Sequence, residues 1–384
     1  MNYLFCLSAL FLCSTTSTTT NAETCRTPNG ETAECVPLHS CAVLHDALYD
    51  LVKVSDPSTV DFLRESQCGG SGQDDPKVCC GTTAAFQTLR TEAPRRPQSV
   101  DVSLSSRFGD VGSPIAGRDV CGYMVAQDRI LSGIITGIDE FPWMALLEYV
   151  KKSDGTRTFY CGGSLIGKRY ILTAAHCVSG KTMNTHRLIN VRLGEWNIET
   201  EEDCINKKSF KECTDPPVNV GIEKVIVHPN YNDSVKSNDI ALIRLNSDVH
   251  FSDFVRPICL PSDDDYARVG EKLFVAGWGR TETAKSSAVK LKVQVPVTSR
   301  IYCRNKFRQA NIPIRDGQIC AGGEKGRDSC TGDSGGPLMK GNPETEQWFV
   351  AGIVSFGTTC GTESWPAVYT HVSVYNDWIH RNVY

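Results

Sequence analysis

Ser334 lies within Asp328-Ser329-Cys330-Thr331-Gly332-Asp333-Ser334-Gly335-Gly336-Pro337, between an aspartate and two glycines and close to a cysteine. A serine hydroxyl is a poor nucleophile until a neighbouring base takes its proton. The segment therefore predicts a histidine and an orienting carboxylate elsewhere in the chain. Thr173-Ala174-Ala175-His176-Cys177 supplies the first and Asn238-Asp239-Ile240-Ala241-Leu242 the second. Singly, each residue has a mundane reading as a surface serine, a core histidine or a capping aspartate. Together they describe nucleophilic acyl chemistry, with Ser334 attacking, His176 moving the proton and Asp239 fixing the imidazole tautomer.

The order His, Asp, Ser and the local sequences around all three resemble those of chymotrypsin-like serine proteases. Gly162-Gly163-Ser164-Leu165-Ile166 and Val275-Ala276-Gly277-Trp278-Gly279 share the resemblance, which covers residues 130–384. It implies that the backbone N–H groups of Gly332 and Ser334 stabilise the oxyanion. It also places Asp328, six residues before the nucleophile, at the bottom of the primary specificity pocket, where a carboxylate pairs with a substrate Arg or Lys. Gly357 falls on one pocket wall. The opposite wall, usually glycine, is Ala367, whose methyl is expected to narrow the slot and shift the balance between Arg and Lys. Family members that bind sodium near this pocket usually carry Tyr where this chain has Pro366, so no sodium activation is expected.

Asp128-Arg129-Ile130-Leu131-Ser132-Gly133 stands where zymogens of that family are cut. Cleavage after Arg129 frees the Ile130 amine, which the resemblance pairs with Asp333 beside the nucleophile, ordering the oxyanion loop. Ser132 departs from the usual glycine. A basic residue at the cut implies a trypsin-like upstream protease.

Glu195-Trp196-Asn197-Ile198-Glu199-Thr200-Glu201-Glu202-Asp203 is dense in acids. Calcium prefers hard oxygen ligands, several of them carboxylates. Trypsin-like proteases bind it in this loop, so the resemblance implies Glu195 and Asp203 side chains with the backbone oxygens of Asn197 and Thr200. The bland alternative is a solvated acidic loop. Asn232-Asp233-Ser234 is the N-glycosylation sequon, making Asn232 the acceptor.

These residues must be positioned by a fold. From Ile130 onward, short apolar runs alternate with turn residues, as in Trp143-Met144-Ala145-Leu146-Leu147 and Phe349-Val350-Ala351-Gly352-Ile353-Val354. The pattern is all-β, sandwich or barrel. The resemblance selects a double β-barrel of six strands each, with the cleft between them. Tyr375-Asn376-Asp377-Trp378-Ile379 reads as a closing helix.

The chain has 384 residues, 18 cysteines and a formal net charge of −4. The charge offers no electrostatic case for nucleic acid, and the cysteines are too many for a reducing compartment. Residues 4–13 form an apolar run too short to span a bilayer, followed by Thr20-Asn21-Ala22, so 1–22 reads as a signal peptide. Its removal takes Cys6 and Cys13 and leaves sixteen cysteines, an even number that fits disulfides throughout.

Cys25, Cys35, Cys41, Cys68, Cys79 and Cys80 occupy residues 25–80, a stretch that buries little apolar area and must rely on disulfides. Val43-Leu44, Ala47-Leu48 and Leu51 suggest a short helix there. Six cysteines ending in an adjacent pair resemble the clip domain of arthropod secreted proteases. That resemblance implies Cys25–Cys79, Cys35–Cys68 and Cys41–Cys80. In the protease domain it implies Cys121–Cys259, Cys161–Cys177, Cys204–Cys213, Cys303–Cys320 and Cys330–Cys360. Residues 81–120, rich in Ser, Thr, Pro, Gly and Arg, read as a flexible linker running to the activation segment at 129.

The sequence thus reads as a secreted clip-domain protease zymogen, cutting a zymogen or pro-protein after Arg or Lys. The resemblance puts it in an arthropod haemolymph cascade, melanisation or Toll-ligand processing, with serpins as inhibitors. Two other readings are weighed. A non-catalytic protease homologue would usually have lost the nucleophile, and Ser334 is intact. A clip domain acting as a binding module is compatible with either.

Overall fold

The computed structural model describes residues 24–41, 43–44, 62, 65–69, 77–82, 113–124, 135–206, 211–262, 265–279, 286–324, 333–343, 345–357 and 362–384. The signal segment, Arg129 and Ile130, Asp328, Gly332, Cys330 and Cys360 lie outside them. The chain divides into two compact units, Met1–Val100 and Asp101–Tyr384.

In the first unit, β1 (Thr24–Arg26), β2 (Thr32–Pro37), β3 (Gln67–Gly69) and β4 (Lys77–Cys80) form one antiparallel sheet in the order β1-β2-β4-β3. Cys25–Cys79, Cys35–Cys68 and Cys41–Cys80 are bonded. The described core is small, Cys41, Leu44, Phe62 and Val78 with Val36, Leu38 and Cys80 partly buried against them, too few apolar groups to hold the sheet without the bridges. Val43 and Leu44 are helical; most of the expected helix lies outside the described residues.

The second unit contains two closed barrels. β5 (Met144–Lys151), β6 (Arg157–Gly167), β7 (Tyr170–Thr173), β8 (His186–Leu193), β11 (Val218–Val227) and β12 (Ala241–Leu245) close the first. β13 (Lys272–Gly277), β14 (Leu291–Thr298), β15 (Gln318–Gly322), β16 (Pro337–Gly341), β17 (Trp348–Phe356) and β18 (Pro366–His371) close the second. β9 (Cys204–Asn206) and β10 (Lys211–Cys213) make a small separate hairpin, clasped by Cys204–Cys213. Closure removes free sheet edges, and strands such as β7 and nearly all of β17 are buried on both faces.

The barrels meet through aromatic residues. Trp348 of β17 stands edge-on to Phe141 and Phe274, both at 5.3 Å between centroids, and Trp143 donates its indole N–H to Met339 Sδ. This packing fixes one barrel against the other, and with it the cleft between them.

The expectation of a flexible linker over 81–120 does not hold for residues 113–120, which together with 121–124 pack onto this unit. Ile115 is buried in its core, the Ala116 N–H bonds the Ile166 carbonyl, and Arg118 pairs with Asp265 while lying over the Phe349 ring. Gly122 fits against the Trp348 backbone, where an added Cβ would come within 2.6 Å of its carbonyl oxygen, and Cys121–Cys259 completes the attachment. One buried isoleucine and a succession of bends and turns leave no periodicity to read.

Candidate functional site

His176 is carried by α1 (Ala175–Val178), a single turn that follows the buried strand β7. Ala174 and Ala175 are fully buried, so the turn lies close against the barrel. The Cys161–Cys177 bridge ties it to β6, and the Tyr149 hydroxyl donates to the Cys177 carbonyl at 3.0 Å. The imidazole orientation is thus set from behind.

Asp239 is wholly buried and its carboxylate is met by three donors. Its carboxylate takes the His176 backbone N–H at 2.9 Å, His176 Nδ1 at 2.8 Å and the Ser355 hydroxyl. Burial by itself raises a carboxyl, but the His176 ring and these donors outweigh it and hold Asp239 below the usual range. It remains a carboxylate, so Nδ1 carries the proton and Nε2 presents its lone pair. The backbone around it is also held. Asn238 adopts φ +52°, its amide donates to the Asn230 carbonyl and accepts the Tyr375 hydroxyl, and Thr370 donates to the Asp239 carbonyl.

Ser334 is brought to the histidine by its own loop. Its carbonyl accepts the Gly162 N–H at 2.8 Å, and the Gly335 N–H bonds Val354. Gly335 has φ +79°, and a Cβ there would fall 2.4 Å from Thr173 Oγ1 and 2.6 Å from the Gly162 carbonyl. Only glycine permits this approach. Cys177 Sγ lies 3.6 Å from His176 Nε2 and 3.6 Å from the Ser334 carbonyl oxygen, so one disulfide sulfur touches both segments. Cys161 and Cys177 are spent in that bridge and offer no thiolate to a metal beside His176.

Asp333 aims its carboxylate at the end of β13. The Gly279 N–H donates to it at 3.0 Å, and any side chain at Gly277 or Gly279 would collide with it. Gly357 and Ala367, predicted as opposite pocket walls, lie side by side on neighbouring strands, a Cβ on Gly357 falling 3.7 Å from the Ala367 Cβ. Cys303–Cys320 braces the second barrel nearby. Asn232 is exposed in a turn and its side-chain oxygen accepts the Ser234 N–H.

Glu195 and Asp203 are buried side by side. Asp203 accepts the backbone N–H groups of Trp196 and Asn197 and the Thr200 hydroxyl, while Glu195 takes Arg192 at 3.1 Å. Burial raises the Glu195 carboxyl; Arg192 opposes this and the Asp203 charge adds to it. Two adjacent buried carboxylates, facing Arg192 and more distantly the buried Lys290, offer the hard oxygen ligands that a divalent cation prefers. The residues present fit calcium, although the Asn197 carbonyl already accepts Thr200.

Sequence reasoning missed Ser355. Its signal is a lone hydroxyl in the otherwise apolar β17, which burial obliges to find a partner. Asn238 and Tyr375 carried no such signal.

Comparison with known proteins agrees with this geometry. The trypsin family model matches residues 130–379 and the model of the regulatory CLIP domain of proteinases matches residues 25–80. Phenoloxidase-activating factor 1 of Holotrichia diomphalia is 47% identical over 94% of this chain and 93% of its own. Serine protease ea of Drosophila melanogaster is 42% identical over 94% and 90%. The crystal structure of the Drosophila Grass clip serine protease of the Toll pathway superposes with a TM-score of 0.60 at 36% identity, covering 94% of this chain and 96% of that one. A barrel pair, a buried aspartate behind a histidine and a glycine-pinned serine loop are what that family builds, and the chain belongs to it as a trypsin-like serine protease with an N-terminal CLIP domain.

Proposed function

We propose that the chain is the secreted zymogen of an endopeptidase that cleaves protein substrates after Arg or Lys in an extracellular innate-immune cascade. The observation that carries the chemistry is the buried Asp239 carboxylate bonded to His176 Nδ1 and N, which leaves Nε2 free to act as a base, with Cys177 Sγ 3.6 Å from both Nε2 and the Ser334 carbonyl oxygen. In this reading Ser334 Oγ attacks the scissile carbonyl as His176 takes its proton. The oxyanion is met by the N–H groups of Gly332 and Ser334, and His176 returns the proton to the leaving amine. Water then repeats the sequence on the acyl-enzyme. Asp328 selects the basic side chain.

Activity waits for cleavage after Arg129, when the Ile130 ammonium pairs with Asp333. Cys121–Cys259 keeps the N-terminal part attached after the cut. The cascade rests on the relatives, one named for phenoloxidase activation and one assigned to the Toll pathway. Serpins are the expected inhibitors. Seven described disulfides support an oxidising, extracellular setting, and no described helix is long and apolar enough to cross a membrane. Calcium, held by Glu195 and Asp203 with the Asn197 and Thr200 oxygens, would neutralise the buried acid pair and stiffen the loop.

The test is fluorophosphonate labelling before and after treatment with a trypsin-like protease. Labelling should appear only in the cleaved form, and be absent from Ser334→Ala and Arg129→Ala. Labelling of the Arg129→Ala chain at the wild-type level would refute the activation site. No labelling of the cleaved wild type would favour a non-catalytic homologue.

A further inference from the structure

Away from the catalytic residues, α2 (Gly180–Thr185) is followed much later by α3 (Arg300–Gln309), whose sequence Arg-Ile-Tyr-Cys-Arg-Asn-Lys-Phe-Arg-Gln holds four cations and no acid. Cys303 and Phe307 face inward and are buried. Ile301, Arg304, Asn305 and Arg308, at i, i+3, i+4 and i+7, share the outer face. With Ile312 and Pro313 they line a cleft of about 630 Å³, large enough for several side chains of a bound segment. It shares no lining residue with the triad or the Gly357–Ala367 pair.

The other cations of the helix are used. Arg300 pairs with Asp316, and Lys306 lies over the Tyr302 and Trp365 rings. Arg304 and Arg308 are exposed, and no carboxylate among the described residues pairs with either. Between them and the loop beyond, Ile301 is left 45% exposed. A net-negative protein that concentrates unpaired guanidinium groups around an exposed isoleucine has a surface complementary to carboxylates flanking an aliphatic side chain.

We propose that this cleft is an exosite that docks an acidic segment of a protein partner, with Arg304 and Arg308 meeting its carboxylates and Ile301, Ile312 and Pro313 receiving an apolar side chain. A sulfated polysaccharide would need only the cations. The apolar floor favours a peptide.

The test uses the full uncut chain, so it is independent of the proposed activity. A fluorescein-labelled peptide of alternating Glu and Leu is the probe, read by anisotropy. Wild type should bind it, more weakly as salt rises, and a Gln/Leu peptide should not bind. Arg304→Gln/Arg308→Gln and Ile301→Ser should each weaken binding about tenfold or more. After activation both variants should hydrolyse a short Arg-containing peptide as wild type does, which shows that they fold. Equal binding by the variants, equal binding of the Gln/Leu peptide, absence of binding by wild type, or binding of a heparin oligosaccharide without the Glu/Leu peptide would each overturn the proposal.

Discussion

Gly357 and Ala367 lie so close together that a Cβ on Gly357 would fall 3.7 Å from the Ala367 Cβ, in ordinary van der Waals contact. The two stand beside each other on neighbouring antiparallel strands, and glycine keeps the surface next to the Ala367 methyl free of a side chain, where the proposed specificity pocket would receive the substrate's basic group. Gly357→Val would set a branched side chain beside the Ala367 methyl, on the wall of the proposed pocket. Its expected effect is a loss of roughly 100-fold in kcat/KM on Arg peptides, with fluorophosphonate labelling of Ser334 retained. Ala367→Gly restores space. A guanidinium reaches further and meets a carboxylate by its fork, whereas the shorter lysine side chain would depend on room for a bridging water at the base of such a pocket. The Lys-to-Arg ratio of kcat/KM should therefore rise severalfold, and matched substrates giving an unchanged ratio would sink the argument.

Asn238 combines a left-handed backbone with two side-chain bonds, to the Asn230 carbonyl at 2.8 Å and from the Tyr375 hydroxyl at 3.0 Å. It immediately precedes the buried Asp239. Asn238→Gly keeps the conformation and loses the bonds; Asn238→Ala loses both. Urea denaturation should rank them wild type, Gly, then Ala, with the last two separated by about 1 kcal/mol. Activity should follow the same order, since a shifted Asp239 no longer fixes the His176 ring.

The residues legible in the sequence were those whose chemistry demands a type. Ser334, His176 and Asp239 admit few substitutes, whereas the close approach of Gly335 to Thr173 and Gly162 emerged only from the structure. Ser355, Asn238 and Tyr375 act by supporting Asp239, a role that many side chains can fill, so spacing gave no hint. Barrel closure was equally hidden. β17 is buried along nearly its whole length, which erases the alternation that would mark its two faces, and only the family resemblance chose barrels over a sandwich. Residues 113–120 read as linker because a run of bends and turns held by Ile115 and Arg118 has no period.

Glu195 and Asp203 make a prediction whose sign reverses with calcium. The Glu195 carboxyl is raised by burial, so in the metal-free fold its ionised form is disfavoured and stability falls as pH rises through its ordinary value toward the raised one. Glu195→Gln removes that charge. Without calcium it should be at least as stable as wild type near pH 7. With calcium at 100 times its dissociation constant, wild type should gain about 2.7 kcal/mol and the variant little. Thermal melts with EGTA and with calcium separate the cases. An identical calcium shift in both proteins would remove Glu195 from the site, and no shift in either would remove the site.

His371 ends β18, where burial and the Arg300 guanidinium hold its imidazole down at about 4 against an ordinary 6.5. The folded chain then keeps it neutral while the unfolded chain takes up a proton, so stability is lost as pH falls from about 6.5 to about 4. His228, packed between the Tyr375 and Trp378 rings and lowered by burial, acts in the same direction. Asp239 is also lowered, but its contribution is lost only below the ordinary carboxylate value of 3.8, a separate window. Nε2 of His371 lies 3.2 Å from the Ser373 hydroxyl, a bond that a glutamine amide can replace. His371→Gln should leave stability at pH 7.5 within about 1 kcal/mol of wild type and retain ~1–2 kcal/mol more of it at pH 5. Urea titrations at the two pH values measure this directly, and parallel losses in the two proteins would assign the acid sensitivity to other groups.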